Sequence, residues 1–168
     1  MTSPRIAFVF PGQGSHRPDM ASAWLPEAAE LLDELSDATG LDLVAVADDA
    51  DGCGSSTRLG QPAIHAISLV VLAALREAGV TPQLVAGHSL GEVTAAVAAG
   101  VFTPAEGAGL VAARGRAMGH ACRTTPGAMA AVIRVDLGEV ERIIDAVDDA
   151  VIANINAPGQ VVIAGTPA

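Results

Sequence analysis

The sequence predicts an α/β domain built on a short parallel sheet with flanking helices, followed by an incomplete ferredoxin-like subdomain. Three observations carry this reading. Short β-branched runs alternate with longer segments of helical periodicity up to about residue 119, the pattern of strands joined by crossover helices. Both strand-like runs in that part end in glycine-rich turns. Past Thr125-Pro126-Gly127 the order changes to strand, helix, strand, strand, the start of a split βαβ unit. The expected division is therefore 1–125 for the α/β core and 126–168 for the partial subdomain.

Each element has a local reason. Residues 5–10, RIAFVF, read as a buried strand that stops at Pro11 and Gly12. Residues 20–35 place Leu25, Ala28, Leu31, Leu32 and Leu35 near helical spacing and end before Gly40, which predicts a helix. Residues 48–60 are acidic and rich in glycine and serine, and an exposed loop is expected. From Gln61 to Ala78, Ile64, Ile67, Val71, Leu72 and Leu75 mark a long, mostly buried helix closed by Gly79. Leu84–Ala86 form a short strand, GHSLG a turn, and Glu92–Ala99 a helix ended by Gly100. Thr103-Pro104-Ala105-Glu106 combines an N-cap, a first-turn proline and an acidic first turn, and opens a helix to about Gly119. Beyond Gly127, AMAAVIRV is strand-like, DLGEVERIIDAV amphipathic, and VIANIN and QVVIAG are two strands around Ala157-Pro158-Gly159.

Composition narrows the partners. The 168 residues carry a net charge of −10, and all nine basic residues are scattered arginines. A nucleic-acid binder needs clustered positive charge, so no nucleic acid is expected. An anionic ligand would meet individual guanidinium groups. The aromatic residues are Phe8, Phe10, Phe102 and Trp24, so the core consists mainly of alanine and branched aliphatics. Cys53 and Cys122 lack metal-ligand spacing and read as reduced bystanders. No run approaches the roughly 20 apolar residues that span a bilayer, and the N-terminal apolar stretch is too short for a signal peptide. A soluble cytoplasmic protein with no membrane contact is expected.

Chemistry concentrates in VAGHSLGEV, residues 85–93. Gly87, Ser89 and Gly91 meet the G-x-S-x-G spacing of a nucleophile elbow, a strand-to-helix turn too tight for side chains at the flanking positions. There the Leu90 N–H, at a helix N-terminus, faces the place where an oxyanion develops. Gln13, between the glycines of Pro11-Gly12-Gln13-Gly14, is a second candidate donor to an oxyanion. His88 adjoins the serine but points to the opposite side, and is expected to buttress the elbow. His65 is expected in the core or a substrate wall, His120 near a helix end, and His16 in a loop able to reach the cleft.

FVFPGQGS, LGQPAIHA, GHSLGE, the arginine of AARGRAM and NINAPGQVVIAG follow in this order over nearly the whole chain. Together they resemble the malonyl-CoA:acyl carrier protein transacylases and the acyltransferase domains of polyketide synthases. The resemblance implies an acyltransferase-type, α/β-hydrolase-like core. It implies transfer of a malonyl-type group from coenzyme A to the phosphopantetheine thiol of an acyl carrier protein, in fatty acid or polyketide biosynthesis, through an ester on Ser89. Gln13 and the Leu90 N–H then match the oxyanion hole, and Arg114 the group that holds the substrate carboxylate. A guanidinium suits that role because it offers two parallel hydrogen bonds. Leu90, a bulky aliphatic, resembles the malonyl-selective members. No metal or cofactor is implied beyond the coenzyme A thioester.

The resemblance also implies a general-base histidine in a later segment, past Ala168. These residues are then the N-terminal portion of a longer protein, and a downstream segment or a second chain supplies the base. Two alternatives from the residues stay open: a serine thioester hydrolase, and a non-catalytic module that binds a carrier protein or an acyl chain.

Overall fold

The computed structural model describes residues 5–49 and 56–166. The chain forms two compact units, 1–119 and 120–168.

In the first unit, β1 (Ala7–Phe10) pairs in parallel with β2 (Leu84–Gly87), in a register that sets Ala7 opposite Leu84 and Phe10 opposite Gly87. Parallel neighbours need a long crossover, and α1 (Ala29–Thr39), α2 (Leu43–Asp48) and α3 (Thr57–Glu77) provide it. Both strands end at the same edge, so their following loops lie side by side. The strand predicted at 5–10 is buried on one face only. Phe10 is 6% exposed, whereas Val9 is 74% exposed, as expected where successive side chains alternate across a sheet.

The region before Gly40 differs from expectation. A 3-10 turn covers Ser22–Trp24, and α1 starts only at Ala29, because Pro26 has no N–H to continue a helical ladder. Leu32 and Leu35 are fully buried, while Leu25 is exposed. Gly40 closes α1 at φ 68°, with its N–H bonded to the Ser36 carbonyl at 2.8 Å. Helix α2 was not expected. Asp42 caps it by accepting from the Ala45 N–H at 3.0 Å, and Leu43 and Ala47 enter the core.

Helix α3 starts at Thr57, four residues earlier than its apolar pattern predicts, so part of the expected loop 48–60 is helical; residues 50–55, with Cys53, lie outside the described residues. At 21 residues and mean hydropathy 1.4 it is long and apolar enough to cross a membrane by length and composition, contrary to the sequence expectation. Its packing is that of a core helix: Ala63, Ile64, Ala66, Ile67, Leu69, Val70 and Leu72 are all at most 5% exposed. Helix α4 (Leu90–Ala98) follows the elbow directly.

Helix α5 (Pro104–Thr124) runs past the expected end at Gly119. Thr103 and Glu106 form a reciprocal capping box at its start: the Glu106 carboxylate accepts from the Thr103 N–H at 2.8 Å, and the Thr103 hydroxyl accepts from the Glu106 N–H at 3.2 Å. The backbone hydrogen bond from Thr103, followed by that of its hydroxyl, lowers the Glu106 pKa.

In the second unit, β3 (Ala128–Ile133), α6 (Leu137–Ile144), β4 (Ala150–Ala157) and β5 (Gln160–Gly165) build an antiparallel sheet in the order β3-β5-β4. Gly159, at φ 73°, makes the β4–β5 turn. Asp136 caps α6 by accepting from the Gly138 N–H at 2.9 Å.

Candidate active site

The site stands at the carboxyl ends of β1 and β2. Gly87 ends β2, Ser89 follows at φ 56°, and Leu90 begins α4. A positive φ at a residue with a side chain is strained, and such strain marks the sharp turn of an elbow. The two flanking glycines are required by contact distances. A Cβ on Gly87 would lie 2.0 Å from the Gly91 carbonyl carbon, and one on Gly91 would lie 2.2 Å from the Phe10 carbonyl oxygen. Both obstacles are backbone and cannot move aside.

The Pro11-Gly12-Gln13-Gly14 loop lies against this elbow. The His88 N–H donates to the Phe10 carbonyl at 3.1 Å. Around Gly12, a Cβ would come 2.8 Å from His88 Nδ1, so the imidazole packs on the glycine of the neighbouring loop. Gln13 is exposed and donates through Nε2 to the Thr57 hydroxyl at 3.3 Å, at the first turn of α3. Leu90 is fully buried, and its N–H is in the first turn of α4, where helix donors have no intrahelical acceptor.

Arg114 reaches the elbow from α5. Its Nη2 donates to Ser89 Oγ at 2.9 Å, and its Nη1 donates to Gln61 Oε1. Gln61 is fully buried in α3, and its own Nε2 contacts the Met118 sulfur at 3.1 Å. The guanidinium is thus fixed from behind by a buried amide and presents its other edge to the serine. Sequence reasoning missed Gln61. A polar residue beside Pro62 inside a strongly apolar helix was the signal available for it.

The histidines are placed elsewhere. His16, whose loop is able to reach the cleft, has its Nε2 2.8 Å from the Ala47 carbonyl, which ties the loop to α2. His65 is 1% exposed, with Nδ1 2.8 Å from the Thr94 hydroxyl, and burial lowers its pKa to about 4. It is a core residue. His120 is exposed near the end of α5. The Ser89 hydroxyl accepts a hydrogen bond from Arg114. Cys122 is a free, exposed thiol. An apolar cavity of about 360 Å³ opens between β1 and α3, lined by Phe8, Phe10, Met20, Ile64, Ile67 and Leu72 among others; neither Ser89 nor Arg114 lines it.

A serine hydroxyl on a strained turn, the neighbouring glycine-rich loop and a fixed guanidinium make one arrangement, and the family model for the acyl transferase domain matches residues 7–168. The chain belongs to the acyl transferase domain family. It is 38% identical over 171 residues to the malonyl CoA-acyl carrier protein transacylase of Bacillus subtilis, with 96% of this chain and 54% of that protein covered. The crystal structure of malonyl-CoA:acyl carrier protein transacylase from Xanthomonas oryzae superposes with a TM-score of 0.89 at 40% identity, covering 99% of this chain and 55% of the other. A malonyl-transacylase solved in complex with its type II polyketide synthase acyl carrier protein superposes at 0.84, with 37% identity and 96% and 55% covered. The fold is that of these acyltransferases, and the chain spans about half the length of such relatives.

Proposed function

We propose that this chain carries the acyl-accepting half of a malonyl-CoA:acyl carrier protein transacylase site, and that the observation supporting it most strongly is Arg114 held between buried Gln61 and Ser89. Malonyl-CoA binds with its free carboxylate on the Arg114 guanidinium. A carboxylate is a stronger acceptor than a hydroxyl, so it takes Nη2 from Ser89 and leaves the serine oxygen free beside the thioester. Substrate binding and release of the nucleophile are then one event.

Ser89 Oγ attacks the thioester carbonyl and gives its proton to a base. The C–S bond breaks, coenzyme A leaves as the thiol, and the malonyl group remains as a serine ester. The phosphopantetheine thiol of the carrier protein then attacks that ester and regenerates Ser89. The Leu90 N–H and the Gln13 amide stabilise the oxyanion in both steps, each such donor being worth about 3 kcal/mol in the transition state. Gln13 gives up only a long contact with Thr57 to do so. One thioester is exchanged for another through an ester, so the electron count is unchanged and the steps balance without a cofactor.

The family resemblance assigns the base to a histidine of a later segment. Arg114 also fixes the acyl group so that the incoming thiol, not water, is well placed. The reading puts the protein in the cytoplasm, with an acyl carrier protein as partner in fatty acid or polyketide synthesis.

The test is incubation of the protein, with the segment that supplies the base present, with malonyl-CoA and a phosphopantetheinylated carrier protein, followed by mass spectrometry of the carrier. Malonyl carrier protein is the expected product. Free malonate formed at the same rate with and without carrier would replace this reading with thioester hydrolysis.

A further inference from the structure

His65 stands outside the steps above, yet it occupies the seam between the three helices that supply the site. On α3 it lies one turn after Gln61, on the same face. Its Nδ1 meets the hydroxyl of Thr94 on α4, five residues after Ser89, and Thr94 is fully buried. Its Nε2 has no hydrogen-bond partner among the described residues. Gly107 of α5 lies against that nitrogen: a Cβ there would sit 3.1 Å from Nε2 and 2.5 Å from a Val97 methyl carbon. Arg114 follows Gly107 by seven residues, two turns along α5 and on the same side.

The geometry points to His65 as a positioning residue that, through Thr94, sets the elbow helix against α3 and α5 so that Ser89 meets the Arg114–Gln61 pair. This rests on the reading of Arg114 as the carboxylate clamp. An aliphatic side chain would fill the same space without leaving Nε2 unpaired, but apolar contacts are not directional and allow helices to slide. A hydrogen bond between two fully enclosed side chains fixes one register of α4 on α3. The close approach at Gly107 transmits that register to α5. Burial keeps the imidazole neutral, so the bond to Thr94 is made with an uncharged ring throughout the working pH range.

The test uses Thr94→Val, which keeps the volume and removes the hydroxyl, Thr94→Ser as the conservative variant, and His65→Leu. Two quantities are read in the folded fraction of each: the NMR resonances of the Arg114 guanidinium N–H groups, and the ratio of Ser89 acylation rates with malonyl-CoA and acetyl-CoA. Thr94→Val is expected to shift the Arg114 resonances and lower the malonyl-to-acetyl ratio about tenfold, equivalent to about 1.4 kcal/mol, with Thr94→Ser restoring both. A merely structural role lowers both rates together and leaves the ratio unchanged, and that result overturns the proposal. Unmoved Arg114 resonances in Thr94→Val overturn it as well. If the unaltered protein accepts no acyl group, the functional reading fails, and the resonances alone still decide whether His65 and Thr94 position Arg114. Should His65→Leu not fold, the two Thr94 variants carry the decision.

Discussion

Replacing Arg114 separates recognition of the carboxylate from the chemistry of acyl transfer. In the structure the guanidinium makes one hydrogen bond to buried Gln61 and one to Ser89, and in the proposed function a substrate carboxylate takes the place of the second. A charge-assisted hydrogen bond contributes about 1.5–3 kcal/mol. Arg114 is half-buried, so screening by solvent favours the lower end, and two parallel bonds then contribute about 3 kcal/mol. Arg114→Ala should lower kcat/KM for malonyl-CoA roughly 100-fold or more. Acetyl-CoA has no carboxylate and should react within about threefold of its original rate. Arg114→Lys keeps the charge but not the paired geometry, and should lose about tenfold with malonyl-CoA. The assay is the initial rate of acyl-carrier formation with each donor. Arg114→Ala also strands the buried Gln61 oxygen, at a cost of about 1–3 kcal/mol, so each variant needs a melting curve beside its kinetics. Equal losses with malonyl-CoA and acetyl-CoA would refute the clamp.

Two further predictions address the fold around the site. Gly91→Ala places a Cβ 2.2 Å from the Phe10 carbonyl and 2.8 Å from that of Pro11, so urea unfolding should show a loss of at least about 2 kcal/mol; an unchanged midpoint would contradict the elbow packing. His65 has a folded-state pKa near 4 against an ordinary 6.5, so the unfolded chain takes up its proton first. Its contribution is complete above pH 6.5 and is lost as pH falls toward 4, by roughly 3 kcal/mol. Urea midpoints measured across that interval should fall less steeply in His65→Leu, and an identical slope would count against a buried neutral imidazole.

The parts of this protein legible in its sequence are those fixed by local sterics. Gly87 and Gly91 announce the elbow because no other residue fits so near the Phe10 carbonyl and the elbow's own backbone. Thr103 and Glu106 announce the start of α5 because each satisfies the other's N–H. Burial by tertiary packing was harder to read. Helix α2 is only six residues long, too short for a periodic pattern, and its one signal was the cap at Asp42. Val9 sits in an apolar run that looks buried on both faces, and only the sheet shows which face is covered. Gln61 and His65 have one cause in common: a polar residue in an apolar helix shows that it has a partner, but the partners, Arg114 and Thr94, are 53 and 29 residues away.

The account stands on Ser89 as the acyl acceptor, and intact-protein mass spectrometry after incubation with malonyl-CoA, with the segment that supplies the base present, tests it most directly. One malonyl group should be gained, mapped by peptide analysis to the segment containing Ser89, and absent from Ser89→Ala. A protein whose mass does not change, or whose malonyl group persists in Ser89→Ala, would contradict it.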